Sequence, residues 1–268
     1  MIRPPATAAS TLIRLQMALL LAAAALASAC ASRTTEVRFD EQVVHTLRLS
    51  YNNAHLLIRG NHAVLIDAGL ERDAPALDAA IRGAGVDPAK LRAIIITHGH
   101  ADHAGGAGWF KRRYKTQIIA GAGDKALLAT GHNDKLCPTD SQARGRLAED
   151  QNATYTPLAA DKWIAKTVNL ADVAGIPGQI IPLAGHTAGS LVVVAGEAAF
   201  VGDLFRGEIV GFGPTTHFYM CDLADNRRDI EALLTGAAAR ARTYFVGHFG
   251  PVTRDAVAGW VTSWRQPQ

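Results

Sequence analysis

No acidic residue precedes Glu36. That absence leaves Arg3 and Arg14 as the only charges ahead of the apolar run Met17–Leu26, which is followed by the small residues Ala27-Ser28-Ala29 and then Cys30. A basic start, a short apolar stretch and a small-residue exit describe a secretory signal peptide over residues 1–29. The run is too short for a comfortable membrane-spanning helix. Ala27-Ser28-Ala29 satisfies the rule for ordinary cleavage. The same residues standing directly before Cys30 are similar to a bacterial lipoprotein box, in which that cysteine becomes the lipidated N-terminus. Ordinary cleavage would leave an exposed N-terminal thiol, which favours lipidation. The expectation is an exported chain, periplasmic and held on the outer membrane by a lipid on Cys30, with a soluble periplasmic or secreted form as the alternative.

Cysteine is scarce as well, with three in 268 residues. Beyond Cys30 only Cys137 and Cys221 remain, and neither belongs to a Cys-x-x-Cys pair, so a thiolate metal site has no support. The two could pair in an oxidising compartment, but one pair is no disulfide framework. An excess of charge is also missing. The formal charge of +3 falls to +1 once Arg3 and Arg14 are removed, and only Lys111-Arg112-Arg113 and Lys115 cluster. That is a solvated helix face and excludes a nucleic-acid partner on electrostatic grounds. With 49% hydrophobic residues, residues 30–268 can bury one sizeable core, and one α/β (α+β) domain is the natural size reading.

Histidine is where the chemistry collects. Thr97-His98-Gly99-His100-Ala101-Asp102-His103 follows the apolar run Ala93–Ile96, which reads as a buried strand ended by a glycine-rich loop. In near-extended backbone, residues two apart point the same way, so His98 and His100 can converge on one ion. Asp102 and His103, past the turn, can face a second. Imidazole and carboxylate suit zinc, and imidazole also suits iron.

H-x-H-x-D-H after an apolar strand resembles the signature of the metallo-β-lactamase-fold superfamily. Four further stretches fit the same pattern in order: Asp67-Ala68-Gly69, Gly185-His186-Thr187-Ala188-Gly189-Ser190, Gly202-Asp203 and Gly247-His248. The resemblance covers about Val43 to Val261. It implies a four-layer αββα sandwich with the metals at one edge. It further implies that His98, His100 and His186 hold one divalent ion, that Asp102, His103 and His248 hold the other, and that Asp203 bridges them. Asp67 would steady the metal-binding loops.

Periodicity supports such a layout. Strands are expected at Val43–Ser50, Ala54–Arg59 and Ala63–Asp67, the last two joined by a tight hairpin at Asn61. Leu77, Ala80, Ile81 and Ala84 form a helical stripe. Helices are also expected at 107–114, 124–130, 225–242 (capped by Asp225) and 255–264, and strands at 117–120, 179–183, 190–195, 198–202 and 243–246. From 131 to 170 the pattern fades into a lid-like stretch with one short helix near 141–150, and Tyr155 and Trp163 are candidate lid aromatics.

The implied chemistry is hydrolysis by a hydroxide shared between two ions, probed best by zinc because bound zinc brings the pKa of water to about 7. Asp102 is the candidate for orienting that nucleophile. Arg206 could meet an anionic substrate group or point to solvent, and His217 could donate a hydrogen bond into the cleft or be structural. The expected substrate is small: an ester, thioester, lactone or amide-like bond. β-Lactam hydrolysis is one alternative. An iron-dependent oxidoreductase like the persulfide dioxygenases, which share the fold and motif, is the other.

Overall fold

A computed structural model describes residues 34–265. The signal segment and Cys30 lie outside the described residues. Two large sheets dominate. The first is a seven-stranded sheet in sequence order: β1 (Thr34–Arg38), β2 (Val43–Arg48), β3 (Asn53–Arg59), β4 (His62–Ile66), β5 (Ile94–Ile95), β6 (Ile118–Gly121) and β7 (Lys162–Ile164). Its first four strands form an antiparallel meander. Arg59 pairs with His62, so Gly60 and Asn61 make the expected two-residue turn, and Gly60 takes the positive φ of 57° that such a turn needs. From β4 onward the pairing is parallel.

The second sheet runs β15-β14-β11-β10-β9-β8, built from β8 (Val168–Asn169), β9 (Gln179–Pro182), β10 (Leu191–Ala195), β11 (Ala198–Gly202), β14 (Thr243–Val246) and β15 (Val252–Thr253). A small hairpin, β12 (Arg206–Gly207) with β13 (Pro214–Thr215), stands apart from it.

Alternation along the strands explains the layers. Ile95 faces inward with Val64, Ile66 and Ile119, against Val193, Phe200 and Phe245 of the second sheet. Ile94 and Ile96 face outward, into the cluster that holds Leu77 and Ile81 of α1 (Ala74–Gly83) and Phe110 of α3 (Ala107–Tyr114), the short α2 (Ala101–Ala104) lying between them. Val192 and Val194 do the same on the other side. They meet α7 (Leu223–Thr235) and α8 (Arg254–Ser263), reached after α4 (Lys125–Thr130), α5 (Ser141–Gln151) and α6 (Ala171–Ala174). Strands buried on both faces read as continuous apolar runs, and each such side chain contributes about 1.5–3 kcal/mol. The result is the expected four-layer αββα sandwich.

Boundaries differ where capping chemistry overrides periodicity. The helix expected from Asp225 begins at Leu223, because Asp222 is the cap and its side chain accepts from Asp225 N at 2.8 Å. It ends at Thr235 before Gly236 rather than at Arg242. The 131–170 stretch is more regular than its composition suggested. It holds α5, then β7 on the edge of the first sheet and β8 on the edge of the second. Cys137 and Cys221 form a disulfide, and Tyr155 and Trp163 pack with the core.

One buried histidine makes the fold sensitive to acid. His55 on β3 lies between the sheets, its Nε2 3.1 Å from Val246 O and its Nδ1 3.1 Å from Thr46 Oγ1. Burial pushes its pKa down from 6.5 to about 4. Between those values the unfolded chain binds the proton and the folded chain does not, so stability falls as pH falls. From pH 7 to 5 the loss should be about 2 kcal/mol. Urea unfolding of metal-free protein should show this loss shrinking by about that amount in His55→Leu; equal losses in both proteins would refute the assignment.

Candidate metal centre

The motif residues meet at one edge of the two sheets, where strands end. β4 runs into Asp67, which sits at a φ of 64°. β5 runs through Thr97 into His98 and α2. His186 lies in the β9–β10 connection, β11 ends at Gly202-Asp203, and β14 ends at Gly247-His248. The glycines before the last two ligands are required by space. A Cβ on Gly202 would stand 2.6 Å from Thr97 Oγ1, and one on Gly247 would strike both Asp203 Oδ1 and the His103 ring.

Asp203 Oδ2 is the focus. Around it lie His103 Nε2 and His248 Nε2, each at 3.3 Å, His98 Nε2 at 3.7 Å and His186 Nε2 at 3.9 Å. Asp102 Oδ2 is 3.3 Å from His248 Nε2 and 3.6 Å from His103 Nε2. His100 Nδ1 faces His186 Nε2 at 3.2 Å. All seven residues the motifs imply as ligands are therefore brought together.

What lies behind the rings sets which nitrogen faces inward. His103 Nδ1–H donates to Asp67 Oδ2 at 2.8 Å, and His248 Nδ1–H to Tyr51 O at 2.9 Å. Thr97 Oγ1 gives its proton to Asp67 Oδ2 at 2.8 Å, so its oxygen must accept from His98 Nδ1–H at 3.1 Å. His100 is turned the other way, with Nε2–H donating to Asp134 Oδ1 at 2.7 Å. In each case the outward N–H leaves the other nitrogen turned toward the centre, where it can bind a metal ion in place of a proton. Asp67 also accepts from Thr97 N at 2.7 Å, binding the ends of β4 and β5 together.

Several supporting residues carry no sequence signal. Asp134 lies 34 residues from the histidine it orients. Asp124 accepts from Gly99 N, Thr187 Oγ1 and Gly189 N at 2.7–2.8 Å, tying the His98–His103 loop to the loop of His186. Asn52 donates from Nδ2 to the Asp102 carbonyl. Tyr155 OH donates to Gly99 O at 2.8 Å. A polar residue in a loop shows its partner only when the loops have been placed.

The electrostatics are those of a cation site. Burial works to raise the Asp203 carboxyl, but the facing charges of His103, His217 and His248 outweigh it and hold it well below the usual carboxylate range. Burial likewise opposes, and His103 and His248 overcome, in keeping Asp102 ionised. Burial would lower His248, yet Asp203 and Asp102 push it up to about 10, and the same carboxylates raise His103. Burial and the neighbouring rings push His98 and His186 down. His98 Nε2, His103 Nε2, His186 Nδ1 and Asp203 Oδ1 are buried without a hydrogen-bond partner. Unpartnered buried polar atoms are costly and need a cause. Divalent ions fit that need, and the donor atoms of His98, His100 and His186, and of Asp102, His103 and His248, each lie within 4.8 Å of one another.

A cleft opens over Asp102, Asp203, His217 and His248. Tyr51, Phe218, Phe249 and Leu136 line it, together with Arg146, whose guanidinium stands 5.5 Å from the centre of the Tyr51 ring. Arg146 is paired with Asp150 at 2.9 Å. Arg206 does not line this cleft. Its guanidinium is buried 3.9 Å from the centre of the Phe218 ring, donates to Gly207 O at 3.0 Å, and lies 3.8 Å from Asp140 Oδ2. The structure thus places it behind the aromatic wall. His217 is buried beside Asp203.

Fold and site together define an αββα protein whose histidine and aspartate side chains could hold metal ions at one edge of the sandwich. The chain belongs to the metallo-beta-lactamase superfamily, whose family model matches residues 47–248. Among relatives, it is 29% identical over 156 residues to a hydroxyacylglutathione hydrolase of Dechloromonas aromatica, covering 58% of this chain and 44% of that protein. It is 31% identical over 169 residues to ribonuclease TTHA0252 of Thermus thermophilus, covering 58% of this chain and 36% of that protein. In both cases the match spans less than half of the relative. In fold it is similar to a metallo-beta-lactamase of Cronobacter sakazakii with an HARLDQ motif, at a TM-score of 0.59 and 19% identity over 83% of this chain and 88% of that one.

Proposed function

We propose that the chain is an exported, dinuclear metal-dependent hydrolase of a small ester, thioester, lactone or amide-like substrate. The observation that carries this reading is the convergence of two separate ligand triads on one shared carboxylate, Asp203. When bound, a pair of divalent ions supplies Lewis acidity and brings the pKa of water to about 7.

The chain's own residues supply the rest. His98, His100 and His186 would hold one ion, Asp102, His103 and His248 the other, and Asp203 would serve both. Asp102 combines a place in the ligand set with a place in the cleft. Its ionised carboxylate can accept a hydrogen bond from the attacking nucleophile and fix its direction. Tyr51, Phe218 and Phe249 restrict water and offer apolar surface to the acyl portion of a substrate.

The cleft favours a small molecule over RNA, although one relative's name is that of a ribonuclease. The one arginine or lysine among its lining residues, Arg146, already has Asp150 as its partner, whereas phosphate backbones are bound by sets of unpaired lysines and arginines. A thioester suits both the cleft and the name of the hydroxyacylglutathione hydrolase relative.

The signal-like segment supports export, and the Cys137–Cys221 disulfide suits an oxidising compartment. A lipid on Cys30 would hold the chain to the outer membrane facing the periplasm.

Metal analysis of the protein isolated from membranes without added metal, followed by a panel of thioesters, esters, lactones and β-lactams, tests the reading. Two zinc per chain, thioester or ester turnover abolished by chelator and restored by zinc, and acyl chains on Cys30 are expected. One iron per chain with oxygen consumption on persulfides would replace the hydrolase by a dioxygenase. A free Cys30 thiol would remove the anchor but leave the chemistry.

A further inference from the structure

His217 reaches the centre from outside the motifs. It follows β13, in a stretch fastened at several points. Thr139 Oγ1 donates to His217 O at 2.7 Å, Met220 N donates to Cys137 O at 2.8 Å, and the Cys137–Cys221 disulfide closes the arrangement. His217 as a whole is 3% exposed. Its Nδ1 lies 3.2 Å from both the N and the O of Tyr219, so the backbone of that residue holds the ring in place.

Its Nε2 stands 3.0 Å from Asp203 Oδ2, closer than the other four imidazoles around that oxygen. Such a separation invites a hydrogen bond, yet Nε2 has no aligned partner, and Asp203 Oδ1 has none either. His103 shows the same relation: 3.3 Å from Asp203 Oδ2, with its Nε2 likewise unpartnered. Two atoms that ligate one ion at about 2.1 Å, with angles between about 90° and 110°, stand about 3.0–3.4 Å apart. The His217–Asp203 separation has that length.

His186 completes a third triad. Its ring centre is 4.9 Å from that of His217, and the ligand atoms of His186, Asp203 and His217 lie within 4.8 Å of one another.

We propose that His217 is an eighth donor of the centre and binds, through Nε2, the ion that His186 and Asp203 contact. This rests on the reading of the site as a metal centre and adds a residue to the seven the motifs imply. Because His217 also lines the cleft, the added imidazole would sit on the substrate side of that ion. It would take a coordination position otherwise open to solvent and raise the nitrogen count there. The sequence region that controls it is the disulfide-fastened loop, not the motif strands.

Scalar coupling in the full chain, labelled with ¹⁵N and loaded with ¹¹³Cd²⁺ alone, tests the bond itself. The expected result is direct ¹¹³Cd–¹⁵N coupling to His217 Nε2 in addition to His98, His100, His103, His186 and His248. In His217→Gln that coupling should vanish, and competition with a chromophoric chelator should show one zinc held at least tenfold more weakly. Coupling to the five motif histidines with His217 uncoupled, or with a proton on its Nε2, would overturn the proposal and leave the metal centre standing. Coupling to no imidazole would sink both. The wild-type spectrum decides the matter even where the variant fails to fold.

Discussion

Asp203→Ala is expected to fold, to lose at least one of two metal ions on gel filtration, and to turn over substrate at least about 10³-fold more slowly. The physical ground is the crowding of five imidazole nitrogens within 3.9 Å of one carboxylate oxygen. With the carboxylate present, a positive charge at the centre is favoured. Without it, two ions would face each other across neutral rings, and their mutual repulsion would have no screen. Loss of an ion's charge removes several kcal/mol of transition-state stabilisation, which corresponds to about three powers of ten in rate. The fold should tolerate the change, because the histidines left facing the gap can release their protons and become neutral. Metal analysis, circular dichroism and steady-state kinetics on one preparation check all three parts. Two ions retained with turnover within tenfold of the parent would show that Asp203 does not join the two triads.

The second large effect concerns Asp102. Asp102→Ala should lower kcat by about 10²–10⁴-fold, the range that a positioned proton-handling group contributes, while changing thermal stability far less. Asp102 is less buried than Asp203, and its side chain faces the cleft. Its backbone is held independently, through the Asn52 side chain and the start of α2, so the loop should keep its course when the carboxylate is removed. His103 and His248 also remain in place, fixed by Asp67 and the Tyr51 carbonyl. Kinetics at saturating zinc separates loss of an ion from loss of orientation. Near-normal turnover with a full complement of metal would mean that another group directs the nucleophile.

Both variants probe residues that are legible in the sequence alone. His98 to His103 lie within six positions on one strand exit, and the pairs Gly202-Asp203 and Gly247-His248 end apolar runs. Such features are local, because the period of a strand and the turn that stops it depend on neighbours in sequence. For the same reason the sequence anticipated the helix at 107–114, the hairpin at Asn61 and the buried strand of Ala93–Ile96. It misplaced the start of α7, where Asp222 and Asp225 are both plausible caps and only the backbone direction at residue 222 separates them.

The sequence, with the family resemblance its motifs carry, pointed to the layers, the strand ends and the seven motif ligands. Only the tertiary structure decided how the site is supported. It brought Asp134 behind His100 across 34 residues, and the Tyr51 carbonyl behind His248 across 197. It turned Arg206 onto Phe218 and away from the cleft, and it drew His217 against Asp203. These contacts are set by how two sheets register against each other and by where the 131–170 stretch crosses their edge. A single side chain in a loop has no periodicity to announce its partner, so the motif ligands and Asp67 could be read from the chain and the rest of their surroundings could not.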